Sequence, residues 1–237
     1  MIRHHSYNEL GKANHGWLKS RHHFSFANYY EPSRMGFGLL RVINDDWVEP
    51  GAGFAPHPHK NMEIISYIRS GAISHQDSTG NTGIIQAGEV QVMSAGSGIV
   101  HSEYNRTNKD LVFYQIWIES NQHNVKPRWE SKMFPTNTLS TKLQLLVSGY
   151  AEDRGDALFI YQTARLFGGK IKKGTKIKHD INHQAYVLAS EGSFALQDNT
   201  SNCTLNKGDG ADVSQTNTVA ITALSDCEVV LIDAPMK

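Results

Sequence analysis

Two short runs of the chain carry side chains suited to holding a metal ion. In Phe54-Ala55-Pro56-His57-Pro58-His59-Lys60 the histidines are separated by a single residue. Side chains two apart on an extended segment project from the same face, with Cα atoms about 6.6–6.8 Å apart, so both imidazoles can reach one ion. Pro56 and Pro58 stiffen the segment and remove backbone donors, which suits a rigid ligand arm at a sheet edge. In Ser94-Ala95-Gly96-Ser97-Gly98-Ile99-Val100-His101-Ser102-Glu103 a glycine turn precedes a second pair at the same spacing. Together the runs offer three imidazoles and a carboxylate. That donor set favours a divalent first-row transition metal over magnesium or calcium, which prefer oxygen. An octahedral ion with four protein ligands keeps two positions open, as O2 or a chelating substrate requires. Glu63, a further even step along from His59, points inward too if no bulge intervenes.

The elements that must position these residues read as short strands between turns. Strands are predicted over Gly36–Ile43, closed by Asn44-Asp45-Asp46, over Glu63–Arg69, Ala72–His75, Glu89–Met93 and Leu111–Ile118. Asp77–Asn81 is dense in turn formers. A polar connection follows, and strands resume over Leu143–Ser148, Ala157–Phe167, Gln184–Ala189, Ser193–Gln197, Val219–Leu224 and Glu228–Ile232. Turn signals about every ten residues fit a sandwich or barrel. Helix is confined to a turn or two in Asn8–Ser20 and Trp129–Phe134. Gly71 and Gly192 occupy similar strand–glycine–strand units, and Gly88 and Gly208 follow them by 17 and 16 residues. An internal duplication explains this: an all-β chain of two tandem domains, residues 1–130 and 145–237, with a linker at 131–144. In the second domain His179 and His183 are four apart and no histidine follows Gly208, so it is expected to hold no metal.

Composition supports this division. Ten of the 12 histidines precede residue 124. The 23 basic residues balance 23 acidic ones, leaving no basic block for direct nucleic-acid binding. No apolar run approaches the ~20 residues of a membrane span, and the chain does not open like a secretory signal. Cys203 and Cys227 are too few for a disulfide framework, so both are read as reduced in a cytoplasmic protein. Phe113, Gln115 and Trp117 share one face of the strongest strand and are expected to line a pocket for a flat aromatic substrate. His22 and His23 read as structural or surface residues, His75 as a turn residue, and Arg41 as a partner of Asp45 or Asp46.

The runs His23-Phe24-Ser25-Phe26-Ala27, Leu40-Arg41-Val42-Ile43-Asn44-Asp45-Asp46, Pro56–Lys60 and Met93–Ile99 resemble the pirin family, within the cupin superfamily. The resemblance implies two cupin (double-stranded β-helix, jelly-roll) barrels, a bicupin. It also implies one mononuclear metal, usually Fe(II), with Mn, Co, Ni, Cu or Zn as alternatives. Position by position, its ligands fall on His57, His59, His101 and Glu103. Glu63 stands in the slot that supplies a ligand in many other cupins, and is assigned as an outer partner of the ligands or a substitute for one. The implied activity is that of a quercetin 2,3-dioxygenase, an oxidoreductase that opens a flavonol ring with O2, with Glu103 as catalytic base. The alternative is a metal- or redox-sensing regulatory protein that binds a protein partner and turns nothing over.

Overall fold

The computed structural model describes the whole chain, residues 1–237. Its first strands are β1 (Ile2–His5), β2 (Gly11–Asn14), β3 (Leu18–His22), β4 (Leu40–Val48), β5 (Gly53–His59) and β6 (Met62–Ser70). β7 (Ala72–Asp77), β8 (Thr82–Gln86), β9 (Glu89–Ser94), β10 (Ile99–Tyr104), β11 (Leu111–Glu119) and β12 (Arg128–Met133) follow. The second half contains β13 (Gln144–Ser148), β14 (Leu158–Phe159), β15 (Arg165–Ile171), β16 (Lys176–Asp180) and β17 (Gln184–Glu191). It ends with β18 (Ser193–Gln197), β19 (Asn202–Asn206), β20 (Gly210–Val213), β21 (Thr218–Ala223) and β22 (Cys227–Ala234). Helix amounts to three short 3-10 turns, none long or apolar enough to cross a membrane.

Each half is a barrel of one seven-stranded and one four-stranded sheet, and the two halves repeat one strand order. The first pairs β12-β9-β6-β11-β4-β3-β2 with β5-β10-β7-β8; the second pairs β1-β20-β17-β22-β15-β13-β14 with β16-β21-β18-β19. β1 thus fills in the second barrel the place that β12 fills in the first. The chain's first strand therefore lies outside the domain expected over residues 1–130, and β12 carries the first barrel's sheet past residue 130.

Strand alternation divides the apolar residues between two kinds of core. Tyr114, Ile116 and Ile118 of β11 face outward and share a 21-residue cluster with Tyr186, Leu188, Val230 and Ile232 of the second barrel. The two seven-stranded sheets are thereby packed against each other. The opposite faces fill the barrels. In the second barrel an 18-residue apolar cluster occupies the interior. In the first, smaller clusters around Phe113 and around Ile64 leave a polar region between them.

Three local expectations need correction. Asn44, Asp45 and Asp46 do not close a strand; they lie inside β4, where the side chains of Asn44 and Asp45 meet His22 of β3 and Arg69 of β6. Residues 129–133 are strand, not helix, because they pair with β9. Arg41 donates to the Ser25 carbonyl oxygen at 2.9 Å, and Arg69 is the residue that pairs with Asp45.

Gly71 and Gly192 hold matching places at the tips of β6–β7 and β17–β18, with φ of 74° and 66°. A Cβ there would lie 2.5 Å from the Asp110 carbonyl oxygen and 2.2 Å from that of Asp226, respectively. Gly16 has a similar φ of 82° but open space around it. Chemical denaturation is expected to show Gly71→Ala and Gly192→Ala each losing roughly 2–4 kcal/mol, against about 1 kcal/mol for Gly16→Ala. Equal losses at the three positions would show that contact with the facing backbone is immaterial.

Candidate metal centre

β10 runs antiparallel between β5 and β7, and this placement assembles the centre. On one side His101 stands opposite His57 and Ile99 opposite His59. The register then shifts, so that Glu103 faces Phe54. On the other side Glu103 stands opposite His75. The ring centroids of His57, His59 and His101 lie 4.5–5.0 Å apart. One ring nitrogen from each falls within 4.8 Å of the others.

The donors fit a metal ion. His57 Nδ1 lies 2.7 Å from the Ala55 carbonyl oxygen, so it is the donor and Nε2 is left with a free lone pair. His101 is buried, and neither of its ring nitrogens has a hydrogen-bond partner. Unpartnered buried polar atoms are uncommon because they are costly, and a bound cation would satisfy one of these two nitrogens. Burial, reinforced by the neighbouring imidazoles, lowers the pKa of His59 to about 4 and that of His101 to about 3. Both are neutral, in the ligating form, near pH 7.

Glu103 is buried beside these rings and held from two sides. One carboxylate oxygen accepts from the side-chain amide of Gln91 and, at 3.5 Å, from Ser66 Oγ; the other accepts from Gln115 Nε2 at 3.1 Å. The carbonyl oxygens of both glutamines are engaged by indole donors: Trp129 Nε1 at 2.8 Å from Gln91 and Trp117 Nε1 at 3.4 Å from Gln115. This aims both amide NH2 groups at the carboxylate. Trp117 also lies edge-on to His59, and Trp129 stacks on His75. Glu103, His75 and His101 form a second group with ligand atoms within 4.8 Å of one another, so His101 belongs to both sets.

A cavity of about 450 Å³ opens over the centre. His57, His59, His101 and Glu103 line it, with Trp17, Phe26, Phe54 and Trp117 forming aromatic walls. Ser20, His22, Asn44 and Asp46 make a polar wall. Asp46 is buried with Oδ1 unpartnered, and burial lifts its pKa to about 7.

Several sequence expectations change here. Glu63 is neither a ligand nor an outer partner of one: the chain turns at Asn61, with φ 50°, and passes into β6 of the other sheet, ending the even-step relation to His59. There Glu63 faces outward with Ile65, and its Oε2 accepts from Ser94 Oγ at 2.6 Å. Phe113 shares a face with Gln115 and Trp117 but does not line the cavity; it is packed with Val48, Ile68 and Ile85. His75 is a buried strand residue beside the centre, its Nε2 3.2 Å from Asp77 Oδ2. His22 lines the cavity, and His23 is buried with Nδ1 2.9 Å from Tyr186 Oη of the second barrel. Ser66, Gln91 and Asp46 were not anticipated. A signal was available for two of them: Ser66 and Gln91 are each a polar residue between apolar neighbours, in Ile65-Ser66-Tyr67 and Val90-Gln91-Val92.

The second barrel's equivalent strands, β16 and β21, bury Ile177, His179, Val219, Ile221 and Ala223. His179 lies edge-on to Phe167, while His183 Nε2 is 2.9 Å from Tyr150 Oη. No metal-capable group of three such side chains occurs there. Cys203 and Cys227 are free thiols.

Comparison with known proteins follows the two barrels. Residues 3–118 match the Pirin family and residues 145–234 the quercetinase C-terminal cupin domain. A Zymomonas mobilis protein provisionally named a quercetin 2,3-dioxygenase is 48% identical over 228 residues, covering 95% of each chain. The quercetin 2,3-dioxygenase of Escherichia coli strain K12 is 44% identical over 234 residues, covering 96% of each. The crystal structure of bacterial pirin YhhW from Escherichia coli in complex with nickel(II) superposes with a TM-score of 0.91 at 40% identity, covering all of both chains.

The lowered histidine pKa values set a pH dependence for the metal-free protein. His59 and His101, at about 4 and about 3, take up protons less readily folded than unfolded, where the value is 6.5. Their contribution is complete above pH 6.5 and is lost as pH falls toward 4. Urea midpoints measured from pH 7 to 5 are expected to fall, and His101→Asn to flatten the slope. An unchanged slope would contradict this origin.

Proposed function

The chain belongs to the pirin family, and from that premise we propose that it is a metal-dependent dioxygenase that opens a flavonol with O2. The proposed centre is mononuclear, held by His57, His59, His101 and Glu103. The observation that carries this reading is the convergence of three imidazoles, one with two idle nitrogens, beneath an aromatic-walled cavity. The relative named quercetin 2,3-dioxygenase and the nickel-bound pirin support it. Nitrogen and carboxylate donors suit this group of transition metals as a whole; the family resemblance puts Fe(II) first, with Mn, Co, Ni, Cu and Zn as competitors. A bound ion of this group supplies Lewis acidity toward a phenolic oxygen and, if redox-active, electron transfer with O2.

The residues of the chain supply the rest. Trp17, Phe26, Phe54 and Trp117 accept the flat face of the flavonol and exclude water from it. The 3-hydroxyl points toward the histidines, and Glu103 accepts its proton as general base. Gln91 and Gln115 keep the carboxylate in place before transfer. Asn44 and Asp46, on the polar wall, offer hydrogen-bonding groups to the remaining phenolic hydroxyls. Loss of the proton makes the heterocycle electron-rich toward O2. Both oxygen atoms enter the product, carbons 2 and 4 become carbonyl carbons of the ring-opened ester, and carbon 3 leaves as carbon monoxide. The proton held by Glu103 returns to the carboxylate product.

Metal-loaded protein is expected to consume quercetin and O2 and release carbon monoxide in equal amounts, followed by absorbance loss and gas analysis. Glu103→Gln is expected to lower kcat by roughly 10²–10⁴-fold, and Trp117→Ala to raise KM. Absence of carbon monoxide with every one of the transition metals named would overturn the reading.

A further inference from the structure

We propose that the cleft between the two barrels on the far side of the β2–β3 hairpin is a binding site for a small multivalent oxyanion, separate from the metal centre. Where the apolar contact between the seven-stranded sheets ends, the sheets part around a cavity of about 630 Å³. Lys12, Lys19, Arg21 and Arg69 enter it from the first barrel, and Lys207 from the second. The only acidic residues lining it are Asp45 and Glu191. Both are already committed, Asp45 to Arg69 and Glu191 to Lys207 at 2.6 Å. Lys12, Lys19 and Arg21 have no carboxylate partner. The formal surplus at the cleft is therefore three positive charges, in a chain whose net charge is zero.

These cations are placed rather than left loose in solvent. Lys19 Nζ sits 4.3 Å from the centre of the Trp47 ring, and Arg21 Cζ 4.6 Å from that of Tyr7. Cation–π contacts of this kind hold a charge against a surface without neutralising it. At the inner end the Arg69 side chain is only 7% exposed, and its buried Nε has no hydrogen-bond partner. Arg21 likewise has a buried Nη1 without a partner. Charge surplus and a concave site fed by both barrels fit a compact ligand carrying two or three negative charges. Polycarboxylates and phosphorylated or pyrophosphorylated molecules share this chemistry. Ala13 and Ser20 line both this cleft and the metal cavity, so the hairpin is the partition between the two sites.

The test uses metal-loaded full-length protein, with citrate and pyrophosphate as separate probes against sodium chloride at equal ionic strength. Calorimetric titration is expected to give one site per chain for at least one probe, and the responding probe identifies the oxyanion class. At tenfold excess over Kd, that probe is expected to raise Tm by roughly 3–5 °C. Arg21→Gln, and independently Lys12→Gln with Lys19→Gln, are expected to weaken binding at least about tenfold while quercetin turnover stays as in the wild type. The first variant removes a partly buried residue and the second alters exposed ones, so misfolding of one leaves the other decisive. Binding of neither probe beyond the salt control, or binding undiminished in the folded variants, would overturn the proposal. The undiminished result would place the anion at the metal instead. Because these readouts do not require dioxygenase activity, failure here is distinguishable from failure of the catalytic reading.

Discussion

His101 facing His57 across the β5–β10 ladder is the constraint on which the rest of the centre depends. It brings together two histidine-bearing strands, in which His57 and His101 lie 44 residues apart in the chain. β10 is an inner strand of its sheet, so the positions of its side chains are set by hydrogen bonding on both sides. The register shift between His101 and Glu103 then separates their partners on β5, placing Glu103 against Phe54 while it stays opposite His75 on β7. A carboxylate buried in this way needs donors, which Gln91, Gln115 and Ser66 provide. Each glutamine is in turn oriented by a tryptophan that also packs on a histidine near the centre. The polar interior is therefore organised around two components, a pre-satisfied carboxylate and an imidazole set in which His101 has no hydrogen-bond partner.

The two barrels show what this organisation displaces. They share a strand order, and equivalent tight turns at Gly71 and Gly192 approach the carbonyl oxygens of Asp110 and Asp226. Yet β21 buries Val219, Ile221 and Ala223 where β10 buries Ile99, His101 and Glu103. The second interior is consequently a continuous apolar core. Its seven-stranded sheet covers the outer face of the first barrel's sheet, including β6 and β11. Those strands also carry Ser66 and Gln115, so the apolar second barrel buttresses the wall that holds Glu103.

Much of this was legible in the residue pattern, for physical reasons. The His-x-His and His-x-Glu spacings report side chains on one face of a strand, a local property that survives folding. The recurring glycines report positive φ, which is also local. What was not legible depended on contacts between strands. Counting even steps from His59 pointed Glu63 inward, in keeping with its place in the ligand slot of other cupins, but the turn at Asn61 transfers the chain to another sheet and the count no longer applies. Asn44-Asp45-Asp46 resembled a turn because Asn44 and Asp45 have strand partners that only the tertiary structure supplies. His75 followed the same course. Phe113 had the correct face but the wrong depth, since alternation distinguishes the two sides of a strand and does not say how far along the barrel a residue lies.

The most direct measurement of the proposed centre is the anomalous-difference density of crystals grown from cobalt- or iron-loaded protein, recorded on both sides of the metal's absorption edge. The account predicts one peak per chain, with His57, His59 and His101 nitrogens and a Glu103 oxygen each about 2.0–2.2 Å from it, and none in the second barrel. A peak enclosed by His75, His101 and Glu103 with His57 and His59 turned away would contradict it, as would the absence of a peak from the first barrel.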